Sequence, residues 1–226
     1  MTTLPKVLVA VLSVGLSLVV AATATARVIE LGAPEGAPAP SCPADPCQAV
    51  SRTTGYQVAA GAADNPFRAP ADGRVVAWSI TLGDPSASQR AFFEERLGGE
   101  ASAGITVLRP GPKLTGRVLS QSPVKRLSAY FGSTVQFPLV TSLHVREGHI
   151  VALTVPTWAP ALALGLGRDS SWRATRRSRP RSRCMDVSRQ SAQRREGALT
   201  RFVCRYPTAQ LTYSVTMVTS PPRSRD

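Results

Sequence analysis

The alternation of apolar and polar residues in short runs limits the folds open to this chain more than any other feature. From Leu211 to Met217, apolar side chains take every second position and hydroxyl side chains take the positions between them. Arg74 to Leu82 has the same period, which places successive side chains on opposite faces of a strand. The predicted buried face of this second run comprises Val76, Trp78, Ile80 and Leu82. Trp78 is therefore expected in the core.

Other short runs continue this pattern along the chain. Strands are predicted at Gly104 to Leu108, Arg117 to Gln121, Val135 to Val140 and His149 to Val155. The last of these follows Glu147 and Gly148, a turn signal that predicts a hairpin with a strand around Ser142 to Val145. Turn signals recur about every ten residues, which is typical of antiparallel sandwiches.

One segment carries helix signals instead. A helix is predicted over about residues 85–97, with Asp84 as its N-cap and a stop at Gly98. Its Phe92 and Phe93 are expected to face the sheet. Many short strands with one short helix predict an all-β protein, an antiparallel β-sandwich of the jelly-roll type.

The first 26 residues have the organisation of an export signal. Lys6 precedes an apolar run from Val7 to Val20, and Ala24-Thr25-Ala26 fits a cleavage site after Ala26. If the signal were not cleaved, the stretch from Val7 to Ala26 would be about long enough to span a bilayer and would anchor the chain in the membrane. In both cases the rest of the chain is predicted to be extracellular or at the cell surface.

Four cysteines in an exported chain indicate two disulfides. Sequence proximity favours Cys42 with Cys47 and Cys184 with Cys204 among the three possible connectivities. The spacing of the cysteines and of the two histidines forms no recognisable zinc site. Neither a metal nor a cofactor is therefore predicted.

Composition divides the mature chain into three parts. Residues 27–54 are rich in alanine and proline and are predicted to form a flexible lead-in with a small disulfide turn. Residues 55–220 are predicted to form the β-sandwich, including an Arg-rich insertion over residues 167–205. Residues 221–226 are predicted to form a disordered tail. A domain of this size can bury a core of its own.

Two stretches have the sequence features of a known kind of β-sandwich. Asn65 to Gly73 leads through a phenylalanine, an alanine-proline pair and a glycine into the strand Arg74 to Leu82, and Leu143 to Leu153 has a glycine turn before an apolar run. Both resemble jelly-roll ligand modules of the complement C1q type. The whole chain resembles exported β-sandwich proteins of GC-rich Gram-positive bacteria, which implies a fold and no activity. Trimeric assembly is not implied, because the chain lacks a collagen-like stalk and carries the Arg-rich insertion.

Basic residues are concentrated near the end of the predicted sandwich. The chain has a formal net charge of +13, and eleven arginines from Arg173 to Arg205 stand against Asp186 and Glu196 alone. Such a segment attracts polyanions, and guanidinium groups suit phosphate and carboxylate equally. The candidate contacts are Arg173, Arg176, Arg177, Arg179, Arg181 and Arg183. The alternative is a solvated loop that codon bias has enriched in arginine.

Two tryptophans are candidates for apolar contacts to the same ligand. Trp158 lies between Pro156 and Pro160, where an exposed indole could stack on a sugar or a base. A position that closes the end of the core is the favoured interpretation of Trp158. Trp172 lies among the arginines and is expected to be exposed.

No catalytic motif occurs in the chain, neither a Gly-x-Ser-x-Gly elbow nor a metal-binding His-Glu-x-x-His. The sequence therefore predicts a non-catalytic binding protein of the cell envelope that contacts an anionic polymer or polysaccharide through the Arg-rich segment. Nucleic acid is a less favoured ligand, and membrane contact is expected only through an uncleaved signal segment. The alternatives are a structural or assembly protein that binds other chains through its sandwich, and a hydrolase whose carboxylates meet on folding.

Overall fold

The computed structural model describes residues 25–32, 36–175, 184 and 190–221, which form two layers of antiparallel strands. The strands are β1 (Val28–Leu31), β2 (Val50–Ala60), β3 (Ala63–Asp64), β4 (Gly73–Thr81), β5 (Ser102–Gly111), β6 (Thr115–Gln121), β7 (Lys125–Arg126), β8 (Thr134–Val145), β9 (Ile150–Ala159), β10 (Leu162–Leu164), β11 (Ser171–Ala174), β12 (Leu199–Arg201), β13 (Cys204–Pro207), β14 (Ala209–Leu211) and β15 (Tyr213–Thr219). In this part of the chain the single α-helix is α1 (Ala87–Leu97). The hydrophobic stretch of the predicted export signal lies outside the described residues.

The two layers exchange strands in jelly-roll order. One sheet has the order β1-β15-β4-β8, and the long sheet has the order β12-β6-β5-β9-β2-β11-β13, with β3 beside β2 and β7 beside β5. β10 and β14 pair in a separate two-stranded sheet. The chain crosses between the sheets from β4 to β5 and from β8 to β9, and it returns to the first sheet at β8 and at β15. This alternation confirms the predicted all-β sandwich of the jelly-roll type.

The core lies between the two sheets and is tied across them by aromatic side chains. Phe67 stacks on Tyr213 with ring centroids 4.0 Å apart, and the Tyr213 hydroxyl donates to the Val151 carbonyl over 2.9 Å. Trp78 is fully buried, as predicted. Burial raises the pKa of Tyr213 well above its usual 10. The phenol therefore stays neutral and acts as a permanent hydrogen-bond donor between the layers.

The predicted lead-in contributes two strands to the sandwich. β1 pairs with β15, which places Val28 opposite Val218 and Leu31 opposite Val215. β2 begins at Val50, inside the same segment. The expectation of a flexible segment over residues 27–54 is corrected there, because β1 is too short to show a period and its partner lies at the other end of the chain. Both predicted disulfides, Cys42–Cys47 and Cys184–Cys204, are present.

A β-bulge changes which side of β4 faces the core. Trp78 and Ile80 are buried as predicted, but Val75 is fully buried and Val76 only half-buried. The register with β8 shifts between Val75 and Ala77. A bulge adds one residue to a strand and so reverses the alternation of its faces. The predicted face is therefore correct after the bulge and wrong before it.

The turn at Gly148 does not make the predicted hairpin. Gly148 has a φ of 83°, as a tight turn requires. The turn joins β8 in one sheet to β9 in the other, and β8 pairs with β4. A turn signal marks where the chain reverses, whereas the packing of the two layers selects the partner of each strand.

Helix α1 ends where predicted and begins later than predicted. Ser86 is the N-cap, in a capping box, and Asp84 forms an ion pair with Arg90 over 2.7 Å. Phe93 is buried against the core, whereas Phe92 is 56% exposed. Neighbouring residues on a helix point about 100° apart, so only one of the two rings can face the sheet.

Candidate functional site

Both candidate tryptophans lie in the core. Trp158 is 0% exposed, its Nε1 donates to the Gly99 carbonyl over 2.9 Å, and the Phe93 ring is 4.8 Å away. This is the core-closing position that the sequence favoured. Trp172 is 4% exposed and stacks on Tyr206. The expectation of an exposed Trp172 is wrong, because it belongs to β11, which lies between β2 and β13 inside the long sheet.

Arg173, the first of the candidate arginines, serves the fold. It is half-buried in β11, and its Nη1 donates to the carbonyl oxygens of Phe202 over 3.2 Å and Val203 over 3.3 Å. These bonds hold the chain next to β13 and occupy one side of the guanidinium group. The remaining candidate arginines, Arg176, Arg177, Arg179, Arg181 and Arg183, lie outside the described residues.

The part of the Arg-rich insertion that precedes β12 lies against the long sheet. The backbone N–H of Gln193 donates to Thr54 Oγ1 over 3.0 Å, and that of Gly197 donates to the Val118 carbonyl over 2.9 Å. Thr54 is itself buried and shares a hydrogen bond with Thr154 on the next strand. The buried Thr54 hydroxyl and the Val118 carbonyl thus fix this part of the insertion on the sheet. From there the chain enters β12, at the edge of the sheet beside β6.

This edge carries a groove with four basic side chains, which we call the cationic groove. Its basic residues are Arg109, Lys113, Arg117 and Arg201, and it encloses about 560 Å³. The strand register places Arg109 opposite Arg117, and Arg117 opposite Leu199. The neighbouring Leu108 and Val118 are buried, so both arginines point away from the core.

The cationic groove has no acidic partner among the described residues. The ion pairs in this part of the chain are Arg90–Asp84, Arg96–Glu95 and Arg126–Glu100. Neither aspartate nor glutamate lines the groove. Arg117 donates from Nη1 to the Gly197 carbonyl over 2.9 Å, which orients its guanidinium group and leaves its charge uncancelled. Like charges at facing positions of neighbouring strands are destabilising, so an anion between Arg109 and Arg117 would relieve their repulsion.

His149 lies close enough to the groove to respond to its charge. Burial lowers the pKa of His149 below its usual 6.5, and the charges of Arg146, His144 and Arg109 lower it further, against an opposing effect of Asp72. Nδ1 of His149 accepts a hydrogen bond from the backbone N–H of Arg146 over 3.1 Å. The neutral imidazole is therefore the stable form at neutral pH. An anion bound near Arg109 would raise the pKa of His149.

Sequence reasoning missed the cationic groove, although one signal for half of it is present. Arg109 and Arg117 flank the turn residues Pro110-Gly111-Pro112 between two predicted strands. A hairpin around that turn brings the two arginines together. Arg201 comes close to these two arginines because β12 pairs with β6, and no local sequence pattern predicts that pairing.

Three further findings concern compartment and relationships. The two disulfides indicate an oxidising, extracellular environment. Within the described residues, no helix is both long enough and apolar enough to cross a membrane. Comparison with protein-family models, curated proteins and solved structures found no match to this chain.

Proposed function

We propose that this chain is an exported, non-catalytic binding protein of the cell envelope that contacts an anionic polymer through a basic surface. The surface combines the cationic groove with the Arg-rich insertion, whose strand β12 contributes Leu199 and Arg201 to the groove. The pair of Arg109 and Arg117 carries the proposal, because these residues face each other on neighbouring strands with no acid beside them in the described structure. Two like charges at facing positions destabilise the sheet, so the presence of this pair is explained if the two arginines bind an anion.

The arrangement of the basic residues favours a polymer over a single small anion. Neighbouring strands lie about 4.8 Å apart, so the basic positions of β5, β6 and β12 extend over about 10 Å. Separate cations in a row match the repeated charges of a phosphate- or carboxylate-bearing polymer.

The test is retention of the oxidised mature protein on isolated envelope material across a salt series. In the groove variant, Arg109, Arg117 and Arg201 are changed to glutamine. The matched control changes Arg96, Lys125 and Arg126 to glutamine, which removes the same charge away from the groove. We expect the wild type and the control to bind at low salt and to be released as salt rises, because electrostatic contacts are screened. The groove variant should bind weakly at every salt concentration.

A second variant separates the groove from the insertion. Its changes to serine are at Arg176, Arg177, Arg179, Arg181 and Arg183. Loss of retention in this variant alone would place the contact on the insertion and remove the groove from the proposal. Wild-type retention in both variants would refute the proposal as a whole.

The alternative is a structural or assembly role, and one observation favours it. β8 is a twelve-residue strand at the edge of its sheet, and its Val140 side chain is fully exposed. An edge strand can pair with another chain. Retention that persists at high salt and is unaffected by both arginine variants would support this role instead.

A further inference from the structure

The turn between β5 and β6 presents an exposed leucine beside the cationic groove. Leu114 is 42% exposed at this turn, and Leu199, which lines the groove, is 58% exposed. Gly111, Pro112 and Lys113 are exposed as well. Two large aliphatic side chains therefore accompany the four cations on one edge of the sandwich.

The backbone of this turn adopts an uncommon conformation. Lys113 has a φ of 54° and a ψ of 40°, and Leu114 has a φ of 59°. Glycine or asparagine normally occupies this left-handed region, because a larger side chain is strained there. Hydrogen bonds hold the turn: the Phe202 N–H donates to the Leu114 carbonyl and Thr115 Oγ1 donates to the Pro112 carbonyl, both over 2.8 Å.

Strain that the surroundings maintain points to a requirement for the side chains themselves. Glycine would fit both positions without strain, yet the chain has a cation at one and an aliphatic group at the other. Leu114 is 42% exposed and is not one of the side chains that pack in or against the hydrophobic core. Its use therefore lies in contact with something outside the chain.

We propose that this edge docks on an anionic lipid bilayer. Leu114 and Leu199 would enter the boundary between headgroups and acyl chains, and the basic residues of the cationic groove would contact lipid phosphates. The inference uses the same groove as the proposed function and adds a ligand of a different class.

The combination of residues favours a lipid surface over a polymer alone as the ligand of this edge. A soluble polyanion needs cations and gains nothing from exposed leucines. An anionic bilayer binds both kinds of residue, since basic residues are attracted to its charged surface and aliphatic groups are buried in its interface. Leu199 lies directly opposite Arg117 in the strand register, so apolar and charged contacts would form together.

The first test is co-sedimentation with vesicles of phosphatidylcholine and phosphatidylglycerol, compared with vesicles of phosphatidylcholine alone. The variant carries Leu114→Ser and Leu199→Ser. The matched control carries Val28→Ser and Val140→Ser, which remove exposed apolar groups from the other sheet. We expect the protein to bind the anionic vesicles, the leucine variant to bind them at least about tenfold more weakly, and the control to bind like the wild type.

The second test measures insertion directly. Leu114→Trp places an indole at the turn, and Val140→Trp places one on the other sheet; the native tryptophans are buried. Lipids brominated in their acyl chains quench a tryptophan that enters the bilayer. We expect additional quenching for L114W and none for V140W.

The outcomes distinguish this inference from the proposed function. If vesicles do not bind, or if L114S/L199S binds them like the wild type, or if L114W is not quenched, the lipid inference is overturned. Salt-sensitive retention on envelope material from which the lipid has been extracted would in that case still support the proposed function. If anionic vesicles bind through the leucines and polymer retention is absent, the lipid inference stands and the proposed function fails.

Discussion

The two ends of strand β5 treat charge in opposite ways. Near its start, Ser102 pairs with Arg126 of β7, and the Arg126 guanidinium lies 3.4 Å from the Glu100 carboxylate. Near its other end, Arg109 faces Arg117 without an acidic group among the described residues. Arg126 is thus neutralised by an acidic group of the protein itself, whereas the charges of Arg109 and Arg117 are free to attract a ligand.

The two ends of β5 also differ in whether the apolar side chains near them are buried or exposed. On the side of α1, Trp158 is fully buried and Phe93 packs against it. On the side of the cationic groove, Leu114 and Leu199 remain exposed. We call the end that α1 covers the closed end, and the end that carries the cationic groove and these two exposed leucines the open end. Stability should therefore depend on the first end and binding on the second.

The largest expected effect comes from the closed end. Trp158→Ala should lower the free energy of unfolding by about 3–5 kcal/mol, because it leaves a cavity beneath α1 and leaves the Gly99 carbonyl without its donor. Urea denaturation measures this loss. The groove variant R109Q/R117Q/R201Q serves as the comparison and should lose no more than about 1 kcal/mol, through the hydrogen bond from Arg117 to the Gly197 carbonyl. A comparable loss of stability in both proteins would break the distinction between the two ends.

A smaller effect of opposite sign is expected at the open end. Arg109→Glu places a carboxylate opposite Arg117 and should raise the free energy of unfolding by about 0.2–1 kcal/mol, as oppositely charged cross-strand pairs do. The same change should abolish salt-sensitive retention on envelope material. Arg126→Glu, which sets two acids together at the neutralised end, should slightly destabilise the protein and leave retention intact. A simultaneous loss of stability and binding in R109E would mean that the groove is structural.

The smallest expected effect is a dependence of stability on pH. The pKa of His149 is lower in the folded state than its usual 6.5, mainly through burial. The unfolded chain therefore takes up this proton first as the pH falls. The contribution of His149 to stability is present above pH 6.5 and is lost as the pH falls through that value toward the folded-state pKa. Urea denaturation across this window should show less loss in His149→Gln than in the wild type.

The His149 resonance also tests the groove. Titration by NMR should show a higher pKa of His149 in R109E than in the wild type, because the change replaces a nearby positive charge with a negative one. A saturating polyanion should raise the pKa of wild-type His149 in the same direction. A higher pKa of His149 in R109E, without a change when the polyanion is added to the wild type, would mean that no anion binds near Arg109.

Local sequence signals predicted where strands and the helix lie better than they predicted which strands pair with each other. The period-two run at Leu211 to Met217 identified side chains that are buried in the structure, and Gly98 ends α1 as expected. The same kind of signal failed at Gly148, where the turn leads into the other sheet. Trp172 failed for a related reason. The surrounding arginines indicated exposure, whereas pairing of β11 with two neighbours buried the indole.

By itself, the sequence determined the all-β class, the end of the helix, both disulfides and the positions of six of the fifteen described strands, namely β4, β5, β6, β8, β9 and β15. These depend on neighbouring residues, through alternation, turn chemistry and the spacing of cysteines. The tertiary structure alone decided the sheet to which each strand belongs, the bulge that buries Val75, and the meeting of Arg201 with Arg109 and Arg117. These depend on pairings between residues far apart in the chain, for which the packing of two layers, and no local propensity, supplies the free energy.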